Sequence, residues 1–265
     1  MLPSFDNHYV DGKNVKPRIN ILEIRAKETP DNPPIAWLIV ERIEENTPDN
    51  SRITMHYERF STTAYQRERH SGTFYGSYSR YHNAVSLTSP SGSSGAVFLD
   101  LQGLEGQRIG TYLMNEIVTW AKRWPGARVN PISLLSHQAF NKERRNRFYE
   151  KFNIRFNYTD PTHNEGTSLP MFVEDLATVD NWKENITELG IREYIHGFIC
   201  REYDLKCENR QIDRRIDSLK SELDSARSSP VFWAIKTLWN KYFVFLIYVA
   251  FFSLIAVSIL SNCST

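Results

Sequence analysis

The residues with the clearest capacity for chemistry lie in a glycine loop, QGLEGQRIG at residues 102–110, that leads straight into a helix-forming stretch. A helix starting near Ile109 presents backbone N–H groups without intrahelical partners, together with the positive end of its dipole. Gly106 and Gly110 allow close backbone approach, so a phosphate or pyrophosphate is the natural occupant. The spacing is neither the GxxxxGK[ST] phosphate loop nor the dinucleotide GxGxxG fingerprint. A plain strand-to-helix turn accounts for two glycines about equally well. Charged and titrating groups flank the loop. Asp100 offers a carboxylate, although carboxylates at strand ends also cap turns. His137 offers an imidazole whose ordinary pKa of about 6.5 suits a general base, or is a surface side chain. Lys142, Arg144, Arg145 and Arg147 form a basic run that meets a phosphate or is a solvated helix face.

Four elements must position these groups. Residues 95–101 (GAVFLDL) form a short apolar run rich in β-formers and flanked by Gly and Ser, which predicts a buried strand. After the loop, Leu113, Ile117, Trp120, Ala121 and Trp124 recur at three and four residues, which predicts an amphipathic helix ended by Pro125 and Gly126. Residues 129–135 read as a second strand. Residues 139–152 read as a charged helix with Phe148, Tyr149 and Phe152 on its buried side. Strand, loop, helix and strand make a βαβ unit, whose crossover is expected to be right-handed.

EGQRIGTYLMNEIV followed by NKERRNRFYEKFNIRF resembles the GNAT superfamily of acetyl-CoA-dependent N-acetyltransferases. That family's loop reads R-G-x-G-I-G-x-x-L, matched here by Gly106, Ile109, Gly110 and Leu113. Its later helix reads N-x-x-A-x-x-L-Y-E-K-L-G-F, matched by Phe148, Tyr149, Glu150, Lys151 and Phe152. Glu105 stands in place of the pattern's Arg, Arg108 in place of its middle Gly and Asn153 in place of its last Gly, and Asn141 lies one residue early. The resemblance implies a mixed, mostly antiparallel twisted sheet with a central βαβ acetyl-CoA-binding unit, and transfer of an acetyl group to an amine without a covalent enzyme intermediate. It implies acetyl-CoA as co-substrate and no metal. Residues implied at the cofactor are Leu99, Leu101, Gly106, Gln107, Arg108, Ile109, Gly110, Thr111, Asn141 and Arg145. A backbone N–H near residues 99–101 is implied to polarise the thioester. Tyr149 is implied as proton donor to the departing thiolate, its alternative being a core aromatic. Asp100 and His137 are the candidate bases.

The rest of the chain bounds the class. The 265 residues carry 32 basic and 31 acidic side chains, a net +1, so no global field argues for nucleic acid. Cys200, Cys207 and Cys263 are odd in number and make no disulfide framework, and no other ligand completes a zinc pattern. The first 17 residues read as an irregular lead-in without a signal peptide. Alternation predicts strands over 18–26, 35–43 and 52–60, with a further short one at 84–88. The family usually separates its first two strands by helices; here they are close, which leaves the acceptor open. Residues 61–83 interleave Tyr65, Phe74, Tyr75, Tyr78 and Tyr81 with Arg67, Arg69, Arg80, His70 and His82. That composition stacks bases and neutralises phosphates in some proteins. A long polar hairpin or loop whose tyrosines cap the sheet is favoured, and nucleic acid is not the expected partner.

Residues 155–158 and 171–176 read as a closing pair of strands, and 181–208 as helical. Leu205, Ile212, Ile216, Leu219 and Leu223 fall at heptad spacing with Asn209 in a core-type position. A short parallel coiled coil making a homodimer through 198–226 is one reading; a helix packed on its own domain or spanning solvent is another. Residues 243–260 (FVFLIYVAFFSLIAVSIL) hold no charge over a length close to a bilayer core. Trp233, Trp239, Tyr242, Lys236 and Lys241 flank them on the incoming side. The expectation is a single-pass C-terminal transmembrane helix, with the body in the cytoplasm. The organisation predicted is an acetyltransferase-like domain over 1–176, a helical segment over 177–228, and an anchor region over 229–265.

Overall fold

The computed structural model describes residues 8–10, 13–15, 18–60, 71–90, 101, 103–136 and 141–262, with side chains described throughout these except at 8–10, 13–15, 244, 246, 249, 250 and 252–262. Among the described residues it is a mixed α+β structure with a large, mostly antiparallel sheet and four α-helices. The chain divides into one unit at 1–195 and a second at 196–265.

The first unit is built on a seven-stranded sheet. After a small hairpin of β1 (His8–Val10) and β2 (Lys13–Val15), four strands run as a meander: β3 (Arg18–Ile24), β4 (Ala36–Asn46), β5 (Asn50–Phe60) and β6 (Ser71–Ser79). Alternation sets their faces. The pairs Leu22↔Leu38, Val40↔Tyr57, Arg42↔Met55 and Met55↔Phe74 place one set of side chains together, and nearly all of it is buried. Ile19, Ile21 and Ile39 form a smaller cluster with Trp37, Ile191 and Tyr194. The sheet continues through β7 (Ala84–Ser86) to β8 (Arg128–Val129). Among the described strands, only β7 and β8 pair in parallel.

Helix α1 (Ile109–Ala121) packs on the larger face. Its sequence is amphipathic, yet Tyr112, Met114, Asn115 and Val118 on its far side are buried as well. The chain after residue 170 covers them. Asn115 Oδ1 accepts from the Val179 N–H at 2.8 Å, and the Trp182 ring meets Tyr112 edge-on at 4.9 Å. Close approach to the sheet depends on Gly76, where an added Cβ would lie 2.8 Å from Ile117 Cγ2 and 2.9 Å from Ile53 Cγ2. Along the same face an ion ladder joins sheet to helix: Glu188 to Arg18, Arg42 to Glu116 at 2.6 Å and to Glu44, then Glu44 to Arg123. Burial works against the Glu44 carboxylate, but Arg123 and Arg42 hold its pKa below the ordinary value.

Several expectations need correction. The described parallel pair is β7 with β8; of the strand expected over 95–101, residues 95–100 lie outside the described residues. The single strand expected over 129–135 is two. Asn130 N still donates to Val85 O at 2.7 Å; Pro131 has no N–H to continue, and Ile132 N turns instead to Ser168 Oγ at 2.9 Å. β9 (Ser133–Leu134) therefore joins a second sheet with β10 (Phe156–Tyr158) and β11 (Gly166–Ser168). Residues 171–176 hold a 3-10 turn, Val173–Asp175, because Asp175 Oδ2 accepts from the Phe172 N–H and folds the chain back. Of the segment expected as a hairpin or loop, residues 71–79 are strand, and the lead-in contains β1 and β2. The stretch expected to be helical from 181 begins with a 3-10 turn (Asn181–Glu184) and then β12 (Ile186–Gly190), the edge of the main sheet against β3.

Helix α2 (Lys142–Glu150) lies between β9 and β10 of the second sheet. α3 (Ile191–Ser228) follows β12 without a linker, and α4 (Pro230–Asn262) begins after Ser229 with Pro at its first position, where its missing N–H costs nothing. Among the described residues no helix is long and apolar enough to cross a membrane. α4 does run through 243–260, but most side chains of that stretch lie outside the described residues, so the transmembrane element is not part of the fold established here.

Candidate functional site

α1 runs in the direction of β6: Ile117 lies against Gly76, and Trp124, just past the helix, stacks on Tyr78 at 4.4 Å. Since β6 and β7 are antiparallel, the N-terminus of α1 points to the carboxyl end of β7. That is the end at which β7 and β8 part company, beyond Val129. In parallel units this is where ligands enter, between strand ends and a helix N-terminus.

The loop reaches the helix through left-handed backbone. Gly103 has φ 77° and Gly106 φ 86°, both suited to glycine, and Arg108 at φ 65° caps the helix without a side-chain hydrogen bond to it. Leu104 N donates to Leu101 O and Gln107 N to Leu104 O, while Leu101 and Leu104 are buried beneath the loop. The first intrahelical bond runs from Tyr112 N to Arg108 O at 3.0 Å. The N–H groups of Ile109, Gly110 and Thr111 therefore have no intrahelical acceptor and face the loop side. Ile109 and Thr111 are buried and Gly110 is partly exposed.

A left-handed arginine is strained by about 1–2 kcal/mol, and its side chain is tied down. Arg108 Nη1 donates to Asn181 O at 2.6 Å and to Asn185 Oδ1 at 3.3 Å, and pairs with Glu184 at 2.7 Å. Asn185, itself buried, donates to Arg25 O at 3.0 Å and Gln107 O at 3.2 Å. Gln107 Oε1 accepts from the Lys27 N–H at 2.9 Å. The loop is thus clamped between the end of β3 and the 3-10 turn before β12. The side chains of Gln107 and Arg108 brace the loop, which leaves backbone groups as its ligand-facing donors.

α2 supplies the second part. Asn141 is its N-cap, with Oδ1 accepting from the Arg144 N–H at 2.8 Å. Arg145 turns its fork onto Leu135 O at 3.0 Å and Asn164 O at 2.8 Å, and its Nε onto Asn146 Oδ1 at 3.1 Å. Asn146 donates to His163 O at 2.9 Å. Both side chains hold the β10–β11 connection, which Asp160 organises by accepting the N–H groups of Asn164 and Glu165. Tyr149 is buried among Phe148 and Phe156, at ring distances of 5.1 and 5.3 Å. Burial pushes its hydroxyl up to about 12, against the pull of the Arg145 cation, so it keeps its proton at neutral pH.

The end of α2 lies within electrostatic reach of the glycine loop. Lys151 is lowered from its ordinary pKa first by burial, then by the like charges of Arg108 and Lys27. Beyond it Asn153 takes φ 63° and closes the helix, donating through Nδ2 to Asp175 O at 2.8 Å. The expected groups therefore divide. The loop backbone, Gly106 to Thr111, has Lys151 at the α2 end within electrostatic reach, whereas Tyr149 is enclosed by Phe148 and Phe156 beside the Arg145 cation. Asn141 and Arg145 serve the neighbouring loop. Leu99, Asp100 and His137 lie outside the described residues. Asn185 and Lys27 went unnoticed in the sequence, and no local signal marks them, since their roles arise from contacts with residues some eighty positions or more away.

Of the aromatic and basic segment, 61–70 lie outside the described residues. In the remainder Phe74 is core and Tyr78 packs on Trp124, which is the sheet-capping arrangement. Among the described residues no three His, Cys, Asp or Glu side chains gather in a group suited to a metal ion. Compared with protein-family models, curated proteins and solved structures, the chain matches none of them.

Proposed function

We propose that the first unit is an acyltransferase that moves an acetyl group from acetyl-CoA to an amine, and that residues 243–260 anchor it in a membrane with this unit on the cytoplasmic side. The observation that carries the reading is backbone conformation. The resembled pattern has glycine at four places, occupied here by Gly106, Arg108, Gly110 and Asn153; Gly106, Arg108 and Asn153 adopt positive φ, and Gly110 lies in the first turn of α1. Arginine and asparagine hold conformations that glycine takes without strain. Free N–H groups at the start of α1, opening beside diverging strands, suit a pyrophosphate.

In the proposed reaction the deprotonated amine attacks the thioester carbonyl. The C–N bond forms, the C–S bond breaks, and the amine proton leaves to a base or water. The thiolate takes a proton from Tyr149, whose hydroxyl is protonated at neutral pH. Calorimetry of acetyl-CoA with the full chain in detergent tests the reading, and no heat of binding would remove it. Gly110→Asp is expected to weaken CoA binding at least tenfold by setting a carboxylate against the pyrophosphate. The fold should survive, since an acid in the first helical turn suits the dipole. Unchanged affinity would reduce the loop to a connection. Tyr149→Phe is expected to lower turnover about 10²-fold with affinity for acetyl-CoA retained. A loss of affinity or melting temperature instead would make the hydroxyl structural.

A second reading, a membrane-tethered scaffold that keeps the fold without turnover, is favoured by the engagement of Arg108 and Arg145 with protein carbonyls. CoA binding without acetylation of any amine in a broad panel would select it.

A further inference from the structure

α3 is about 57 Å long and carries an apolar stripe that no described residue covers. Phe198, Leu205, Ile212, Ile216, Leu219 and Leu223 are 43–60 % exposed. Their alternating spacing of four and three places Phe198, Leu205, Ile212 and Leu219 at d, and Glu202, Asn209, Ile216 and Leu223 at a. A seam of this kind faces another helix, and the charges beside it say which one.

The g positions are Arg201, Glu208, Arg215 and Glu222; the e positions include Lys206, Asp213 and Lys220, with Arg227 closing the series. In a parallel pair each g faces the e′ five residues on. That sets Arg201 against Lys206′, Glu208 against Asp213′ and Arg215 against Lys220′, all repulsive, and leaves only Glu222 with Arg227′ attractive. In an antiparallel pair g meets g′ and e meets e′. With Ile216 layered on Leu205′ and Leu223 on Phe198′, the contacts become Arg201 with Glu222′, Glu208 with Arg215′ and Lys206 with Asp213′. Each is attractive, and each occurs twice by symmetry. A slip of one heptad either way sets Glu208 or Arg215 against its own copy. Charge thus selects both direction and register.

We infer that α3 is the dimerisation element of this protein and that two copies pair antiparallel, centred between Arg210 and Gln211. Glu202 and Asn209 occupy a layers opposite Leu219′ and Ile212′, and Glu202 is ion-paired to Lys206 of its own helix at 2.7 Å. These polar layers make the association reversible rather than permanent. The inference is independent of acetyl transfer.

The test measures self-association of the full chain in detergent by analytical ultracentrifugation. Glu208→Arg turns two attractive contacts repulsive in the antiparallel dimer and is expected to raise the dissociation constant about tenfold. The same change removes a repulsion from a parallel dimer and would tighten it. Glu208→Arg with Arg215→Glu restores the antiparallel contacts and should restore wild-type affinity. In a background with Cys200, Cys207 and Cys263 replaced by Ser, Glu202→Cys with Leu219→Cys should form an oxidised dimer, whereas Leu219→Cys alone should not. Efficient crosslinking through Cys at 219 alone, tightening by Glu208→Arg, or a monomeric wild type would each overturn the inference.

Discussion

Arginine placed at both Ala250 and Phe251 should release this protein from membranes. The two positions lie near the middle of the uncharged run at 243–260. On the insertion scale each arginine at a helix centre is unfavourable by about 2.5–3.5 kcal/mol, so the pair costs about 5–7 kcal/mol. That is comparable with all that the remaining Leu, Ile, Phe and Val side chains return at about 0.3–0.6 kcal/mol each, so the run is left without a net drive to insert. The unmodified protein should float with lipid and resist carbonate extraction; the double variant should appear in the aqueous fraction. An unmodified chain that stays monodisperse in buffer without detergent or lipid would dispose of the anchor.

Gly76→Val is expected to be the most damaging single change in the first unit. A Cβ at that position would sit under 3 Å from methyl groups of Ile117 and Ile53, which are themselves fully buried. Trp120, also fully buried, lies 3.4 Å from the same point. Valine then forces α1 off the sheet, a distortion of about 3 kcal/mol at the upper end for overpacking. For a unit of this size that corresponds to a fall of roughly 6–12 °C in Tm. Gly76→Ala should cause a smaller drop of the same sign. Thermal unfolding followed by far-UV circular dichroism checks both, and a melting temperature unchanged by valine would mean that α1 does not pack as described.

Elements whose local pattern and tertiary role agree were legible in the sequence. α1 announced itself by apolar spacing and the Pro125–Gly126 stop, and β3, β4 and β5 by alternation. β6 was left open between hairpin and loop because its inward residues are Phe74, Gly76 and Tyr78: the central one has no side chain to register as apolar, for the reason that lets α1 approach. β12 was read as helix because Ile186 and Leu189 fall at a spacing shared with the helix that follows, and only pairing with β3 makes them a strand. The glycine loop and the buried side of α2, with Tyr149 and Phe152, were visible from residue order. The commitment of Arg108 to Asn181, Glu184 and Asn185 was not, since nothing near Arg108 in sequence discloses those acceptors.

The junction of β12 with α3 has a mechanical consequence. Gly190 ends the edge strand and Ile191 begins the helix, with no slack between them. Tension drawn along α3, as a fluctuating membrane or a dimer partner would apply it, loads the ladder from Gly190↔Asn20 to Ile186↔Ile24 before any other part of the sheet. Behind that ladder stands the contact of Glu188 with Arg18 and Asn20, which acts as a latch at its loaded end. If the latch yields, β12 peels away and bares β3 as a new edge, and Asn185, which holds the glycine loop to Arg25, is pulled with it. A pull along α3 is thereby transmitted through β12 and Asn185 to the glycine loop.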